Sequence, residues 1–233
     1  MIFFNLILAH LLGDFILQPN SWVADKEKRK ERSIYLYLHI LLHILLTMIF
    51  LWDLQLWWIA VVVGVTHFLI DWAKLHFQTQ KTKRMWFFAD QIAHISVIIA
   101  LSVFYFPYFK WEDFFNNDTL KIGTAIIFLT VPSSILIKTV ISIWTPITVD
   151  HSKLQTESLV NAGKYIGILE RLLVFVFILV NHWEGVGFMI AAKSVFRFSD
   201  LAEAKQRKLT EYVLIGTLLS FGIAVLVGIL IKI

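Results

Sequence analysis

The sequence predicts an all-α fold: a polytopic transmembrane helix bundle of about eight membrane segments. Three observations carry this. The chain of 233 residues is 58% hydrophobic and only 16% charged, against about a quarter charged in ordinary soluble domains. Its mean hydropathy is +0.72. Apolar stretches close to the roughly 20 residues that cross about 30 Å of hydrocarbon recur from end to end. They fall at 2–18, 34–52, 56–76, 87–107, 120–143, 164–182, 185–198 and 211–232. A soluble single domain is excluded. Cysteine is absent, which removes disulfides, iron–sulfur clusters and thiolate metal sites.

The first segment lacks a basic leader and a small-residue cleavage site and carries His10 and Asp14, so it is read as a retained helix. The loop after it, "KEKRKER", and the loop "QTQKTKRM" after the third segment are strongly basic. So are "HSKLQTESLVNAGK" after the fifth and "EAKQRK" after the seventh, whereas "DLQ", "PYFKWEDFFNND" and "NHWEG" are poor in Lys and Arg. Fifteen basic residues thus fall on one side of the membrane and three on the other. The positive-inside rule places the basic loops in the cytoplasm and both termini outside. Tryptophans near segment ends, such as Trp52, Trp57, Trp58 and Trp144, agree with interfacial anchoring. "KEKRKER" is read as an orientation signal and solvated loop rather than a headgroup or nucleic-acid contact. The seventh segment, "GVGFMIAAKSVFRF", is short enough to be tilted or re-entrant.

Each of the first four segments holds one pair at i,i+4 made only of His and Asp: His10 and Asp14, His39 and His43, His67 and Asp71, Asp90 and His94. Residues at this spacing share a helix face. The first and third pairs lie late in segments that run inward; the second and fourth lie early in segments that run outward. All four therefore meet at one level, in the cytoplasmic half of the membrane. A lone intramembrane His is more often a helix-packing contact. Eight residues of metal-ligand type at one depth favour a site, because ionisable groups in spans are costly. His10, Asp14, His67, Asp71, Asp90 and His94 are the expected ligands of one or two divalent ions, zinc, manganese or iron. His39 and His43 are candidates for a catalytic base or for groups supporting the ligands. His76 is assigned to the membrane edge, and Gly13 and Gly64 to close helix approach. Gln18, Pro19 and Asn20 end the first helix as a weak candidate polar entrance.

A second polar group follows. Glu170 and Arg171 open the sixth segment, Lys193 and Arg197 stand at i,i+4 in the seventh, and Glu211 begins the eighth. They either neutralise one another between helices or use Lys193, Arg197 and Arg171 to hold a substrate phosphate or carboxylate. Asp150 and His151 are read as solvated loop residues. The expected organisation is a four-helix His/Asp bundle over 1–107, a fifth helix and connection over 108–163, and C-terminal helices over 164–233.

The phrases "LAHLLGDFILQPNSW", "THFLIDWAKLH" and "FFADQIAHI" together resemble the bacterial domain-of-unknown-function family 3307, and "GILERLL", "AAKSVFRF" and "EYVLIGTLLSF" resemble its longer members. That resemblance implies a multi-pass protein of the bacterial inner membrane and implies no reaction. The helical His/Asp motifs are also similar to those of membrane-bound metal-dependent hydrolases, whose D-x-D-H and H-R-x-x-T-H-S phrases this sequence lacks.

The expected function is a metal-dependent hydrolase acting on a lipid-like or phosphorylated substrate from the cytoplasmic leaflet. The alternatives are a divalent-metal transporter or sensor, for which an off-centre site is unfavourable, and a structural or partner subunit. Membrane lipid is the expected surrounding, nucleic acid is not an expected partner, and homo-oligomerisation is left open.

Overall fold

A computed structural model describes residues 2–105, 118–144, 157–198 and 207–232. Among these residues there are ten α-helices and no strand, so the chain is an all-α helix bundle. Residues 1–124 and 125–233 form two compact units.

The first unit contains α1 (Ile2–Leu11), α2 (Asn20–Arg29), α3 (Ile34–Leu51), α4 (Trp57–Phe77) and α5 (Lys83–Tyr105). α1 packs on α3 and α5, α3 on α4, and α4 on α5, so these four close around a common axis. Their polarity is reversed from that of a soluble bundle. On α3, His39, His43 and Thr47 are buried while Leu41, Leu45 and Ile49 face outward. On α4, His67 and Asp71 are buried and Val61, Val65 and Leu69 exposed. An apolar exterior around a polar interior suits lipid rather than water as solvent.

Two glycines set the closest approaches. A Cβ on Gly13 would lie 2.5 Å from the His43 ring, and one on Gly64 would lie 2.6 Å from Ile44. Neither position has space for a side chain. One end of the bundle is plugged by Ile2, Leu6, Leu56, Ile59, Val63, Ile98 and Leu101. The other end is crossed by α2.

The expected first helix runs without interruption over Ile2–Ile16, and its last turn departs from α geometry. Leu12–Ile16 is a π-helical turn, closed by Leu17 N–H donating to Leu12 O at 2.8 Å. The chain then breaks before Pro19, which lacks an N–H to continue the helix. It bends by 82° into the polar stretch that follows. The "KEKRKER" run is helical rather than a loop, lying in α2 and a following 3₁₀ turn, Lys30–Arg32. Residues 28–32 are exposed, as expected of a solvated run, whereas Lys26 is buried.

The second unit takes up the rest of the chain. α6 (Asp118–Leu129) crosses into it at residue 125, followed by α7 (Val131–Ile141), α8 (Glu157–Leu179), α9 (Trp183–Phe198) and α10 (Arg207–Lys232). α10 packs on α8 and α7, and α9 on α8. The expected fifth segment is broken at Thr130, with a 43° bend between α6 and α7 and Pro132 near the start of α7.

Among the described residues, four helical stretches are individually long and apolar enough to cross a membrane: Ile34–Leu51, Leu54–Phe77, Lys83–Tyr105 and Glu211–Lys232. Counting each bent pair as one span gives six, against the eight apolar segments of the sequence. α8 carries Lys164, Glu170 and Arg171 in its first two-thirds, and α9 has only 16 residues. Several helices able to cross a membrane, with lipid-like exteriors, make this a membrane protein.

Candidate metal centre

All eight His and Asp residues of the four i,i+4 pairs converge inside the first unit. α1 and its π turn deliver His10 and Asp14, α3 His39 and His43, α4 His67 and Asp71, and α5 Asp90 and His94. Their ligand atoms form three overlapping groups, each within 4.8 Å: His10, Asp14, His43 and His67; His39, His67 and Asp71; Asp14, Asp90 and His94. These buried groups can hold a metal ion. His76 stays outside, pairing with Glu31 at 3.3 Å and hydrogen-bonded to Trp72 O at 3.0 Å.

Asp14 Oδ1 is the hub. It lies 3.0 Å from His43 Nε2, 3.2 Å from His39 Nε2 and 3.3 Å from His67 Nε2. His39 Nε2 and His67 Nε2 are in turn 3.1 Å apart. Asp14 Oδ1, His39 Nε2 and His67 Nε2 therefore form a nearly equilateral triangle, and protons cannot satisfy it. With Asp14 ionised, each Asp–His side needs a proton on that Nε2. The His–His side needs a proton on only one of the two. At most two sides are hydrogen bonds in any tautomer. A cation bound by all three lone pairs removes the conflict. Ligand bonds of about 2.0–2.1 Å also place tetrahedral ligand atoms roughly 3.3 Å apart, close to the observed sides. The donor set fits a divalent ion.

Other atoms repeat the pattern. Asp90 Oδ1, His94 Nε2 and His39 Nδ1 are buried without a hydrogen-bond partner, which is rare in a purely structural network. His94 Nε2 is 3.6 Å from Asp90 Oδ1 and 3.8 Å from Asp71 Oδ1, too long for hydrogen bonds. The rings of His43, His67 and His94 stack in series with centroids 3.8 Å apart. Beside them lies a cavity with room for about one water molecule, bordered by His10, His43, Thr47, Thr66, His67 and His94.

Three participants are absent from the sequence reading. Gln91 bridges α5 to α1, donating from Nε2 to Asp14 Oδ2 at 2.9 Å while its Oε1 meets His10 Nε2 at 3.2 Å. Lys26 Nζ donates to Asp71 Oδ2 and Lys74 Nζ to Asp90 Oδ2, both at 2.8 Å. The available signals were adjacency of Gln91 to Asp90 and the seven-residue step from His67 to Lys74, two helical turns. Lys26 has no periodic signal, because the bend at Pro19 brings it to the site.

The C-terminal residues follow a different logic. Arg171 is 3% exposed. It donates to Leu129 O at 2.7 Å, Thr130 O at 3.0 Å, Ser134 Oγ at 2.6 Å and Ser220 Oγ at 3.1 Å. Lys193 is paired with Glu170. Arg197 lies in α9, with its side chain outside the described ones, and Asp150 and His151 lie outside the described residues.

With the geometry established, comparison with known proteins gives one match. The family model described as protein of unknown function (DUF3307) matches residues 2–122. The chain belongs to this family. No curated protein and no solved structure matches it. The region this DUF3307 chain shares with the family contains all eight His and Asp residues together with Lys26, Lys74 and Gln91, and it ends close to the boundary of the first unit.

Proposed function

We propose that the protein is a membrane-embedded metal-dependent hydrolase, working from the cytoplasmic leaflet of a bacterial inner membrane on a lipid-like or phosphorylated substrate. The observation that carries this reading is the triangle of Asp14 Oδ1, His39 Nε2 and His67 Nε2, which no set of protons satisfies. In this reading Asp14, His39 and His67 hold zinc, manganese or iron(II), with Asp71, Asp90, His94 and His10 as the surrounding donors.

Charge favours one ion over two. Asp14, Asp71 and Asp90 bring three negative charges, and Lys26 and Lys74 two positive ones, before any imidazole proton is counted. One divalent ion leaves a single positive charge; two would leave three inside a low-dielectric bundle. The ion supplies a water activated near neutral pH and an electrophile for the substrate oxygen.

His43 borders the one-water cavity and takes the role of base. It accepts the proton as the water oxygen bonds to the substrate phosphorus or carbon. It returns that proton to the departing oxygen as its bond breaks. Arg171 has no part in this scheme, since its donors are engaged with Leu129 O, Thr130 O, Ser134 and Ser220, and Lys193 is paired with Glu170. The apolar plug of Ile2, Leu6, Ile59 and Ile98 at the opposite end of the bundle favours a one-sided enzyme over a transporter.

The test is elemental analysis of detergent-purified protein together with headgroup release from phospholipid vesicles. About one metal per chain and metal-dependent release are expected of the wild type. Both are expected to be lost in Asp14→Asn, and release alone in His43→Ala. Equal metal in wild type and Asp14→Asn sinks the metal centre; release unaffected by chelator sinks the hydrolase.

A further inference from the structure

Both ends of the four-helix bundle are closed, and by different means. One is packed with the apolar plug. The other is crossed by α2, and of the ten residues of α2 only Lys26 is buried. Trp22 stacks on Tyr35 with centroids 5.3 Å apart, but the side-chain ties that hold α2 down are mainly polar. Lys26 Nζ donates to Asp71 Oδ2 at 2.8 Å. Glu27 pairs with Lys83 of α5 at 2.5 Å, and Glu31, in the 3₁₀ turn that follows, pairs with His76 of α4 at 3.3 Å. Tyr37 of α3 donates to Glu31 O at 3.0 Å. This stretch is thus roped to α3, α4 and α5 with no apolar residue of its own buried.

Three features mark it as an element that opens. Segments held without apolar burial belong to the least stable part of a structure. The backbone is hinged on both sides. Pro19 stands at the 82° bend, and Lys30 has φ 52°, in the left-handed region that favours glycine and strains a lysine. At the first hinge Gln18 Nε2 is buried with no hydrogen-bond partner, a deficit that water corrects when the segment lifts.

We propose that α2 is a lid over the metal centre, that Lys26 is its latch on Asp71, and that the ion enters and leaves at this end of the bundle. This rests on the metal reading above and adds the route to the site. At the plugged end a divalent ion would have to cross packed hydrocarbon, which is prohibitively costly for a charge. At the α2 end it meets hydrogen-bonding side chains instead. Lifting α2 withdraws Lys26 and leaves Asp71 Oδ2 free to accept the arriving ion. Closing α2 shuts water away from the donors again. Lids of this kind turn on a few hinge residues far from the chemistry, here Pro19 and Lys30.

The chain has no cysteine, so Glu27→Cys combined with Lys83→Cys provides a unique pair for a short bifunctional thiol reagent. In detergent-purified, zinc-loaded full-length protein, the crosslink is expected to slow zinc release to excess chelator at least about tenfold relative to the same variant without reagent. Glu31→Gln severs the tie to His76, away from the donors. It should speed release and uptake alike by about two- to fivefold, with the zinc dissociation constant unchanged. A release rate unaltered by the crosslink overturns the proposal. So does a Glu31→Gln affinity that changes as much as its release rate, which would mean a disturbed site rather than an opened lid. Hydrogen exchange of the metal-free wild type is a separate arm. Amides of residues 23–29 should exchange at least about a hundredfold faster than those at the centres of α3 and α4, and equal protection overturns the lid. A wild type that binds no zinc while α2 exchanges fast overturns the metal reading instead.

Discussion

Asp14 and Arg171 are both buried charges on apolar helices, and they are treated in opposite ways. Arg171, in the second unit, directs four N–H groups to four neutral oxygens, two of them carbonyls freed where α6 breaks at Thr130. A cation at a helix C-terminus also meets the negative end of the helix dipole. Beside it, Glu170 and Lys193 neutralise each other. Asp14, in the first unit, sits among three imidazoles whose protons cannot serve every contact. Among the described residues, every buried side-chain atom without a hydrogen-bond partner also lies in the first unit. A satisfied intramembrane charge is part of the architecture. Asp14 is hydrogen-bonded to His43 and Gln91 yet stands against two further imidazoles, in a group that can hold a metal ion.

The largest way to test that contrast is Arg171→Met. It orphans the carbonyls of Leu129 and Thr130, at about 1–3 kcal/mol each, so thermal unfolding in detergent should drop by roughly 3 kcal/mol. Metal per folded chain should stay unchanged, and loss of metal would break the division between the units. Next comes Asp14→Asn. Metal at a hundred times its dissociation constant should stabilise the wild type by about 2.7 kcal/mol and the variant not at all. Chelated wild type and variant should unfold close together; an equal metal-induced shift in both would contradict the hub role.

Gly13→Ala and Gly64→Ala form a matched pair. Both force a methyl group into occupied space, each costing about 1–3 kcal/mol. Only Gly13→Ala displaces His43, so only it should weaken metal binding by competition titration with a chromogenic chelator. The smallest effect is expected for Glu170→Gln. Its pair with Lys193 is partly exposed, and loss of about 1 kcal/mol or less with unaltered metal content is the expected result.

The site was legible in the sequence where helix periodicity governs it. Four i,i+4 pairs restricted to His and Asp, with alternating helix direction, were enough to bring eight residues to one level. Lys26 was not legible, because its position depends on the 82° bend at Pro19 rather than on any period. Charge runs are ordinarily solvated, and only one member of this run turns inward. Gln91 was marked only by its adjacency to Asp90, because no His or Asp stands four residues from it. Apolar length located the membrane segments but not their breaks, since those at Leu17–Pro19 and Thr130 are decided by backbone hydrogen bonding that hydropathy does not register. Which side chains meet at Asp14 Oδ1 was illegible for a different reason: it depends on which nitrogen of each ring faces that oxygen.

The wide turn at Leu12–Ile16 keeps the first helix in phase. An i→i+5 bond houses one residue more than an α-turn would. The turn takes up that residue without rotating the helix on either side, because five residues at the wider pitch sweep about the angle of four α-helical ones. Ile2 and Leu6 keep their place in the apolar plug and His10 its place beside Asp14, while the charged tip of the helix carries one residue more.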